Sequence, residues 1–275
     1  MLSYRHAYHA GNHADVLKHA VYAWCIEYLT GKPKPLFVLD THAGAGLYDL
    51  RSEMAAKVGE WRGGVGVVWP ERENAPELFR SWLDVLKAVN RDDQLTVYPG
   101  SPELANRLLR PGDRLRLCEL HPTDHALLEA DAGVEVLRMD GFRHLTKAMP
   151  PPERRGIVLI DPSYELKDDY IRAADSLIRA HRRFATGTYL LWYPVVDREM
   201  TEDMLGSLEQ SGMRRLYRME LAVAPDRDGR GMTASGVIVV NPPWTLPDLA
   251  DEAVSWLAST LGEGARGEAL WLVGE

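Results

Sequence analysis

The sequence predicts an α/β fold in which a mostly parallel, seven-stranded sheet is covered by helices on both faces. Short apolar runs alternate with longer stretches of helical periodicity along the 275 residues, an order that is typical of parallel sheets. Three of the apolar runs end in an acid, at Asp40, Glu119 and Asp161, and open parallel sheets bind ligands at such strand ends. A composition of 45% hydrophobic and 26% charged residues is ordinary for a globular protein with a full core.

The predicted elements follow one another in a regular order along the chain. Seven apolar runs are predicted strands, at residues 36–40, 115–119, 134–138, 157–161, 188–193, 216–223 and 236–241. Seven periodic stretches are predicted helices, at residues 13–30, 75–90, 102–110, 123–131, 168–182, 198–211 and 247–260. Far more chain separates the first strand from the second than one crossover needs. We therefore predict one domain over residues 1–275, with an inserted, mostly helical subdomain at residues 51–100.

Charge and cysteine content exclude several classes of protein. The net charge of −8 argues against non-specific coating of nucleic acid, although it leaves room for a local basic surface. Two cysteines, Cys25 and Cys118, are too few for a disulfide framework and lack metal-ligand spacing. The amino terminus has no apolar leader, and no apolar run is long enough to span a membrane. We expect a reduced, cytoplasmic protein with no membrane partner.

Histidines cluster near the amino terminus, where His9, His13 and His19 accompany Asp15. A helix that begins near residue 12 places Asp15 and His19 on one face, as a metal site on a helix requires. Since no cysteine or further acid joins these side chains at recurrent spacing, we expect no metal site.

A glycine-rich turn follows the first predicted strand. Residues 40–46 read DTHAGAG, and a glycine such as Gly44 lets the backbone come close to a ligand. The dinucleotide pattern fails because its third glycine is missing, and the phosphate-loop pattern fails because Gly-Lys-Ser/Thr is missing. The turn suits the S-adenosylmethionine loop of class I methyltransferases, with Gly44 as a cofactor-binding residue, although a purely structural turn uses the same residues.

Two further acids stand at neighbouring strand ends. Glu119 ends the second strand, where a carboxylate can bind both ribose hydroxyls of a nucleoside. Asp140 follows the third strand, where it can accept a hydrogen bond from an adenine amino group while Phe142 covers the ring. Taken singly, each acid also fits a helix N-cap or a solvated strand end. Three suitable acids in this order favour S-adenosyl-L-methionine as the cofactor.

The tetrapeptide DPSY at residues 161–164 ends the fourth predicted strand. An adenine amine is a poor nucleophile because its lone pair is delocalised, so two acceptors aimed at its hydrogens are needed to localise it. The Asp161 carboxylate and the Pro162 carbonyl can be these acceptors, held in place by the stiff proline. Tyr164 offers a face on which a flipped base can stack. The alternative is an ordinary strand-to-loop turn.

A second tetrapeptide, NPPW at residues 241–244, is a closer match to the Asn/Asp-Pro-Pro-aromatic motif of amine methylation. It follows the last predicted strand, however, and so lies past the catalytic position of a doubly wound sheet. We predict that it is a structural turn.

Longer motifs extend from residue 1 to about residue 244. They are MLSYRH at 1–6, HAGNHADVLKH at 9–19, LDTHAGAG at 39–46, YPGSP at 98–102, ELHP at 119–122, DGF at 140–142, RFATGTY at 183–189, LWYPVV at 191–196 and RGMTASG at 230–236. In these motifs the chain resembles the RlmJ family of bacterial 23S ribosomal RNA adenine-N6-methyltransferases. Motifs of this length are far more specific than a lone glycine turn.

The resemblance implies a Rossmann-like, class I methyltransferase that modifies an adenine of protein-free 23S ribosomal RNA. By motif, it implies a methyl-donor pocket lined by His19, His42, Ser101, Glu119, Asp140, Gly141 and Asp161. Asp161 is then the catalytic acceptor, and the residues that meet the RNA at the mouth are Tyr4, His6 and Lys18. Ser163 departs from the family, which usually has a second proline there, and puts the rate in doubt more than the reaction class.

Two alternatives remain at the level of sequence. A DNA adenine-N6-methyltransferase uses the same acceptor pair, but it needs a module that reads the major groove. The insertion at 51–100 is small for that purpose and only modestly basic. A nucleic-acid-binding protein that has lost catalysis is the other alternative, and Ser163 is its only support. No long apolar edge or heptad pattern suggests an obligate partner, so we expect a monomer.

Overall fold

The computed structural model describes residues 5–129, 134–227 and 231–275. Its helices are α1 (His13–Thr30), α2 (Glu53–Val58), α3 (Val65–Val68), α4 (Arg80–Val89), α5 (Ser101–Leu108), α6 (Pro122–Glu129), α7 (Gly141–Ala148), α8 (Asp168–Arg183), α9 (Arg198–Glu209) and α10 (Leu246–Leu261). Its strands are β1 (Phe37–Asp40), β2 (Leu47–Asp49), β3 (Val97–Pro99), β4 (Arg114–Cys118), β5 (Glu135–Leu137), β6 (Gly156–Ile160), β7 (Thr188–Val195), β8 (Leu216–Ala222), β9 (Ala234–Val240) and β10 (Arg266–Val273).

The main sheet has eight strands in the order β10-β8-β9-β7-β6-β1-β4-β5. Strands β5, β4, β1, β6 and β7 pair in parallel, whereas β9 pairs antiparallel with both of its neighbours and β10 pairs antiparallel with β8. This confirms a mostly parallel sheet. The predicted count of seven strands was wrong by one, because β10 was missed. Its side chains alternate between exposed and half-buried, so this edge strand has no continuous apolar run in the sequence.

Two helical layers cover the sheet, which explains why its central strands read as unbroken apolar runs. Every residue of β1, β6 and β9 is buried. Along β1 the side chains alternate between layers: Val38 packs in the core under α1 and α10, and Leu39 packs in the core under α7 and α8. The carboxyl ends of the parallel strands are therefore held rigidly between two packed layers.

The chain between β2 and β3 is largely helical. It contains α2, α3, α4 and three short 3-10 helices, and the antiparallel pairing of β2 with β3 closes its base. Trp82 on α4 is fully buried in the same core as α1 and β1. The inserted segment is thus packed onto the sheet layers through a shared core.

Helix α1 is fixed at both ends. At its start, the Asn12 side chain accepts a hydrogen bond from the backbone N–H of Asp15, which is an N-cap. After its end, Arg110 donates to the Lys32 carbonyl at 2.6 Å, and Arg155 donates to the Lys34 carbonyl at 2.8 Å. Because the last turn of α1 holds no basic residue, these two arginines supply the positive charge that its dipole favours there.

The NPPW turn at residues 241–244 lies at the opposite edge of the sheet from the ends of β1, β4 and β6. Val240 pairs with Tyr189 near the start of β7, so the turn stands at the amino ends of the parallel strands. The Asn241 side chain donates to the carbonyls of Ala185 at 2.9 Å and Gly187 at 2.8 Å. This position and these bonds agree with the prediction of a structural turn.

None of the helices in the described part of the chain combines the length and apolar character needed to cross a membrane.

Candidate active site

A cavity of about 340 Å³ opens at the carboxyl ends of β1, β4, β5 and β6. That volume is in the range of small-molecule and cofactor sites. Most of the residues predicted from sequence to form the site line this cavity: His6, Lys18, His19, His42, Gly44, Ser101, Glu119, Asp140, Gly141, Asp161 and Pro162. They come from widely separated segments that meet only because the parallel strands end at one edge.

The turn after β1 brings its backbone to the cavity wall. Gly44 and Gly46 have φ of +66° and +83°, values at which a side chain is strained. At the start of α7, a Cβ on Gly141 would lie 1.9 Å from the carbonyl oxygen of Thr41, so no side chain fits there. The first strand's turn and the start of α7 therefore approach each other backbone to backbone, beside the cavity.

Glu119 is built into the cavity by two backbone bonds. Its Oε2 accepts from the N–H of Gly44 at 2.8 Å, and its Oε1 accepts from the N–H of His121 at 2.6 Å. Each oxygen keeps further acceptor capacity, which suits a pair of ligand hydroxyls. Burial raises the pKa of Glu119, although these two bonds oppose the rise. Its geometry matches the ribose-binding interpretation of this strand end.

Asp140 is both a helix N-cap and a residue of the cavity wall, the two roles that the sequence left open. It accepts from the N–H of Arg143 at 3.3 Å as the N-cap of α7, and it lines the cavity. Arg172 on α8 donates to its Oδ2 at 2.9 Å and lies 4.6 Å from the Phe142 ring centroid. Sequence reasoning missed Arg172, because nothing local links it to an acid 32 residues earlier.

Two histidines in the site, the buried His19 and the half-buried His42, have pKa values well below the physiological pH range. Burial lowers the pKa of His19 to about 3 and that of His42 to about 4. His19 Nδ1 lies 2.8 Å from the hydroxyl of Tyr98, and the His42 ring packs edge-on against Phe142 at 4.7 Å. Both therefore act as fixed hydrogen-bonding or packing groups rather than as charges.

Asp161 follows β6 directly and faces α1. Lys18 donates to its Oδ2 at 2.6 Å and lies 2.8 Å from Oδ1 of Asp15. The Lys18 side chain is only 2% exposed, and its ammonium lies 5.1 Å from the centroid of the Trp192 ring. The expectation that Lys18 stands at the mouth is corrected by this burial: it is an internal cation between two carboxylates.

The aromatic wall beside Asp161 also differs from expectation. Tyr164 was expected to offer its face to a base, but its hydroxyl donates to the carbonyl of Trp192 at 2.7 Å, and its ring packs 4.6 Å from Tyr170. Trp192, rather than Tyr164, is among the residues that line the cavity. Tyr164 adopts φ of +52°, and its hydroxyl bond to β7 is one of the contacts that fix this unusual backbone.

The segment before α1 is tied to the cavity by contacts between polar side chains. His6 Nε2 lies 2.9 Å from Oδ2 of Asp15, and Arg5 lies 3.1 Å from Asp124 on α6. His9 lies 3.0 Å from Glu60. Tyr4, which was predicted to meet RNA, lies outside the described residues. Over residues 5–129, 134–227 and 231–275, no group of three or more His, Cys, Asp or Glu side chains is arranged to hold a metal ion.

The fold and the site together define a class I, S-adenosylmethionine-dependent methyltransferase. A glycine turn after β1, an acid after β4 and an acid after β5 surround a cavity large enough for a nucleoside cofactor. The hydrogen-bonding capacity of Glu119 and the neutral His42–Phe142 pair fit the ribose and the base of that cofactor.

The chain belongs to the RlmJ family. The family model described as "Ribosomal RNA large subunit methyltransferase D, RlmJ" matches residues 33–273. Ribosomal RNA large subunit methyltransferase J of Escherichia coli (strain K12) is 48% identical over 281 aligned positions, covering all of both chains. The protein of that name from Haemophilus influenzae is 47% identical over 266 positions, covering 95% of this chain and 94% of its own.

Solved structures agree on the fold. The crystal structure of protein LPL1258 from Legionella pneumophila has a TM-score of 0.90 at 39% identity, covering 96% of this chain and 98% of that one. A probable spermidine synthase from Corynebacterium glutamicum has a TM-score of 0.52 at 10% identity, covering 93% of this chain and 74% of its own. The second likeness concerns the fold alone.

Proposed function

We propose that this protein methylates N6 of a specific adenine in protein-free 23S ribosomal RNA, with S-adenosyl-L-methionine as the donor. The observation that carries the proposal is the position of Asp161, which ends β6 at the wall of a donor-sized cavity, directly before Pro162. Family membership and the names of the two relatives support ribosomal RNA as the substrate.

At the acceptor end, the chain prepares the amine of the target base. Lys18 binds Oδ2 of Asp161, and we assign Oδ1 and the Pro162 carbonyl to the two amine hydrogens. Two acceptors held in fixed positions localise the nitrogen lone pair without reorganisation during the reaction. The Asp161 side chain is 12% exposed, so it is reachable from the cavity yet largely shielded from water.

At the donor end, we assign binding to the residues that converge behind the glycine turn. S-adenosylmethionine, when bound, supplies an electrophilic methyl group. Glu119 holds the ribose, and Asp140 accepts from the adenine amine. Backbone at Gly44 and Gly141 allows close approach, and the side chains of Ser101, His19 and His42 complete the wall.

At the mouth, we assign RNA contact to Tyr4 and His6. The His6 side chain is 20% exposed and anchored on Asp15, so it stands between the cavity and the surface. Lys18 is reassigned from RNA contact to the support of Asp161. Trp192 provides an aromatic wall next to that pair, which suits a base that has been turned out of its stack.

We further propose that residues 1–275 act as a single methyltransferase domain, with residues 51–100 as its helical subdomain. The shared core of Trp82 with α1 supports this view, since the inserted segment packs onto the sheet layers. We propose a cytoplasmic monomer without an obligate protein partner. Sedimentation of the purified protein and cell fractionation test these two points.

Transfer of labelled methyl groups to purified RNA tests the function. We expect incorporation into protein-free 23S ribosomal RNA at one site, identified as N6-methyladenine by mass spectrometry, and none into duplex DNA. Incorporation only into DNA overturns the RNA assignment. Tight RNA binding without detectable binding of S-adenosylhomocysteine, measured by calorimetry, identifies instead a binding protein that has lost catalysis.

A further inference from the structure

We propose that Asp15 is a positioning residue that sets the charge around the acceptor: by neutralising Lys18, it leaves Asp161 a net negative charge that favours the sulfonium donor over its thioether product. The inference rests on the proposed role of Asp161. In the sequence, Asp15 was noted only as part of a possible metal site with nearby histidines, a site that we did not expect to exist.

Asp15 is a buried acid whose two carboxylate oxygens both have polar partners. Its side chain is 1% exposed, and its Oδ2 accepts from the N–H of Gly11 at 2.8 Å and lies 2.9 Å from His6 Nε2. Its Oδ1 lies 2.8 Å from Lys18 Nζ. The Asp15 carboxylate therefore connects His6 to Lys18, and Lys18 in turn contacts Asp161.

The groups around Asp15 keep it ionised. Burial alone would raise the pKa of this carboxyl, but His6 and Lys18 hold the pKa well below its usual range. For Lys18, burial alone would lower the pKa of the ammonium, but Asp15 and Asp161 raise it above its usual value. The cluster thus holds one permanent cation, Lys18, between two anions, and the His6 ring adds a positive charge only when it is protonated.

The charge count explains why a second acid is useful. A lone ion pair between Lys18 and Asp161 has no net charge, so it favours one form of the cofactor over the other only as a dipole does, more weakly than a net charge. The Asp15 carboxylate neutralises Lys18, so the cluster carries one net negative charge beside the cavity as long as the His6 ring is neutral. The sulfonium carries one positive charge more than the thioether. The net negative charge of the cluster therefore raises the affinity for the donor and has little effect on the affinity for the product.

The size of the effect follows from Coulomb's law. As a general estimate, one unit charge about 10 Å from a cation changes the affinity for it about fourfold to fifteenfold, for effective dielectric constants of about 40 to about 20. A change of this size is readily measured as a ratio of two dissociation constants.

The test is a charge cycle read by calorimetry, with S-adenosylmethionine and S-adenosylhomocysteine as the two probes. In Asp15→Asn we expect the preference for the sulfonium to fall about fivefold. In Lys18→Gln the two facing carboxylates share one proton, so we expect its preference to stay within about twofold of the wild type. The double variant regains the original net charge, and its preference returns to within about twofold of the wild type. Equal weakening of both probes in Asp15→Asn, with an unchanged ratio, overturns the proposal.

Asp113→Asn is the matched control. Asp113 is also buried, accepts backbone N–H bonds and pairs with Arg110, but it lies at the opposite edge of the sheet. We expect it to lower thermal stability and leave the preference unchanged. If Asp15→Asn does not fold, the double variant decides the matter, because a preference that differs from the wild type by more than about twofold contradicts the charge account. No RNA enters the measurement, so failure of the proposed substrate is seen separately.

Discussion

Lys18 Nζ and Asp161 Oδ2 lie 2.6 Å apart and join the first half of α1 to the end of β6 across 143 residues. The contact is almost fully enclosed on the lysine side and partly open on the aspartate side. One oxygen of Asp161 is therefore fixed by an internal cation, and the carboxylate has a defined orientation before any substrate arrives. Preorganised groups of this kind usually make the largest single contribution to the acceleration of a reaction.

Asp161→Asn tests the acceptor directly. The amide keeps the shape of the side chain but replaces one acceptor oxygen with a donor, so we expect kcat for RNA methylation to fall about 10²- to 10³-fold. Donor affinity should change much less. Asp175→Asn, at an exposed ion pair on α8, is the control and should retain full activity. Full activity in Asp161→Asn would remove this carboxylate from the chemistry.

Lys18→Gln tests whether Lys18 supports Asp161 inside the protein or contacts the RNA. Without the ammonium, two buried carboxylates face each other, so we expect a loss of about 3–5 kcal/mol of unfolding free energy. We also expect kcat to fall at least about tenfold while KM for RNA changes little, because the orientation of Asp161 is lost. Steady-state kinetics and denaturant melts measure both. A raised KM with unchanged kcat would place Lys18 at the RNA surface after all.

Arg172→Gln probes the donor site through Asp140. The arginine side chain is 42% exposed, so its 2.9 Å ion pair is worth only about 1 kcal/mol. We expect the dissociation constant of S-adenosylmethionine to rise about threefold to tenfold, with kcat preserved at saturating donor. Arg179→Gln, in an exposed pair on the same helix, is the control and should bind normally. An unchanged dissociation constant in Arg172→Gln would mean that Asp140 needs no partner.

What the sequence predicts well is what local composition dictates. Strands β1 and β6 are buried on both faces, so they appear as apolar runs, and the acids after them mark the ligand edge. The order of the strands is also enough to choose the motif at Asp161, rather than the similar motif at residues 241–244, as the catalytic one. These features need no knowledge of tertiary contacts.

The features that the sequence did not predict depend on contacts between distant segments. Lys18 was taken for a surface residue because lysines usually are, yet it lies within a helix that is buried on nearly every side. The apolar run on both sides of it was the available signal. Arg172 and Trp192 carry no local mark, because only the packing of α8 and β7 against the cavity gives them a role.

Asp40, at the end of β1, makes stability depend on pH in an unusual direction. Burial, assisted by the nearby charge of Asp161, raises the pKa of this carboxyl to about 7, although a hydrogen bond from Ser101 opposes the rise. The folded protein therefore holds the proton more tightly than the unfolded chain, whose carboxyl titrates near 3.8. The stabilising contribution of the protonated form is complete below about pH 4 and declines as the pH rises towards about 7.

Asp40→Asn removes this dependence. The amide is neutral at every pH, so the stability of the variant relative to the wild type should increase by about 2–3 kcal/mol from pH 5 to pH 8. Urea melts across this range measure the difference. Asp113→Asn is the control: the pKa of Asp113 is lowered by its bonds to Arg110 and Leu36, against burial, so both states are ionised above pH 5 and its effect stays constant. A parallel offset for Asp40→Asn across the same range would show that this buried carboxyl is ionised throughout.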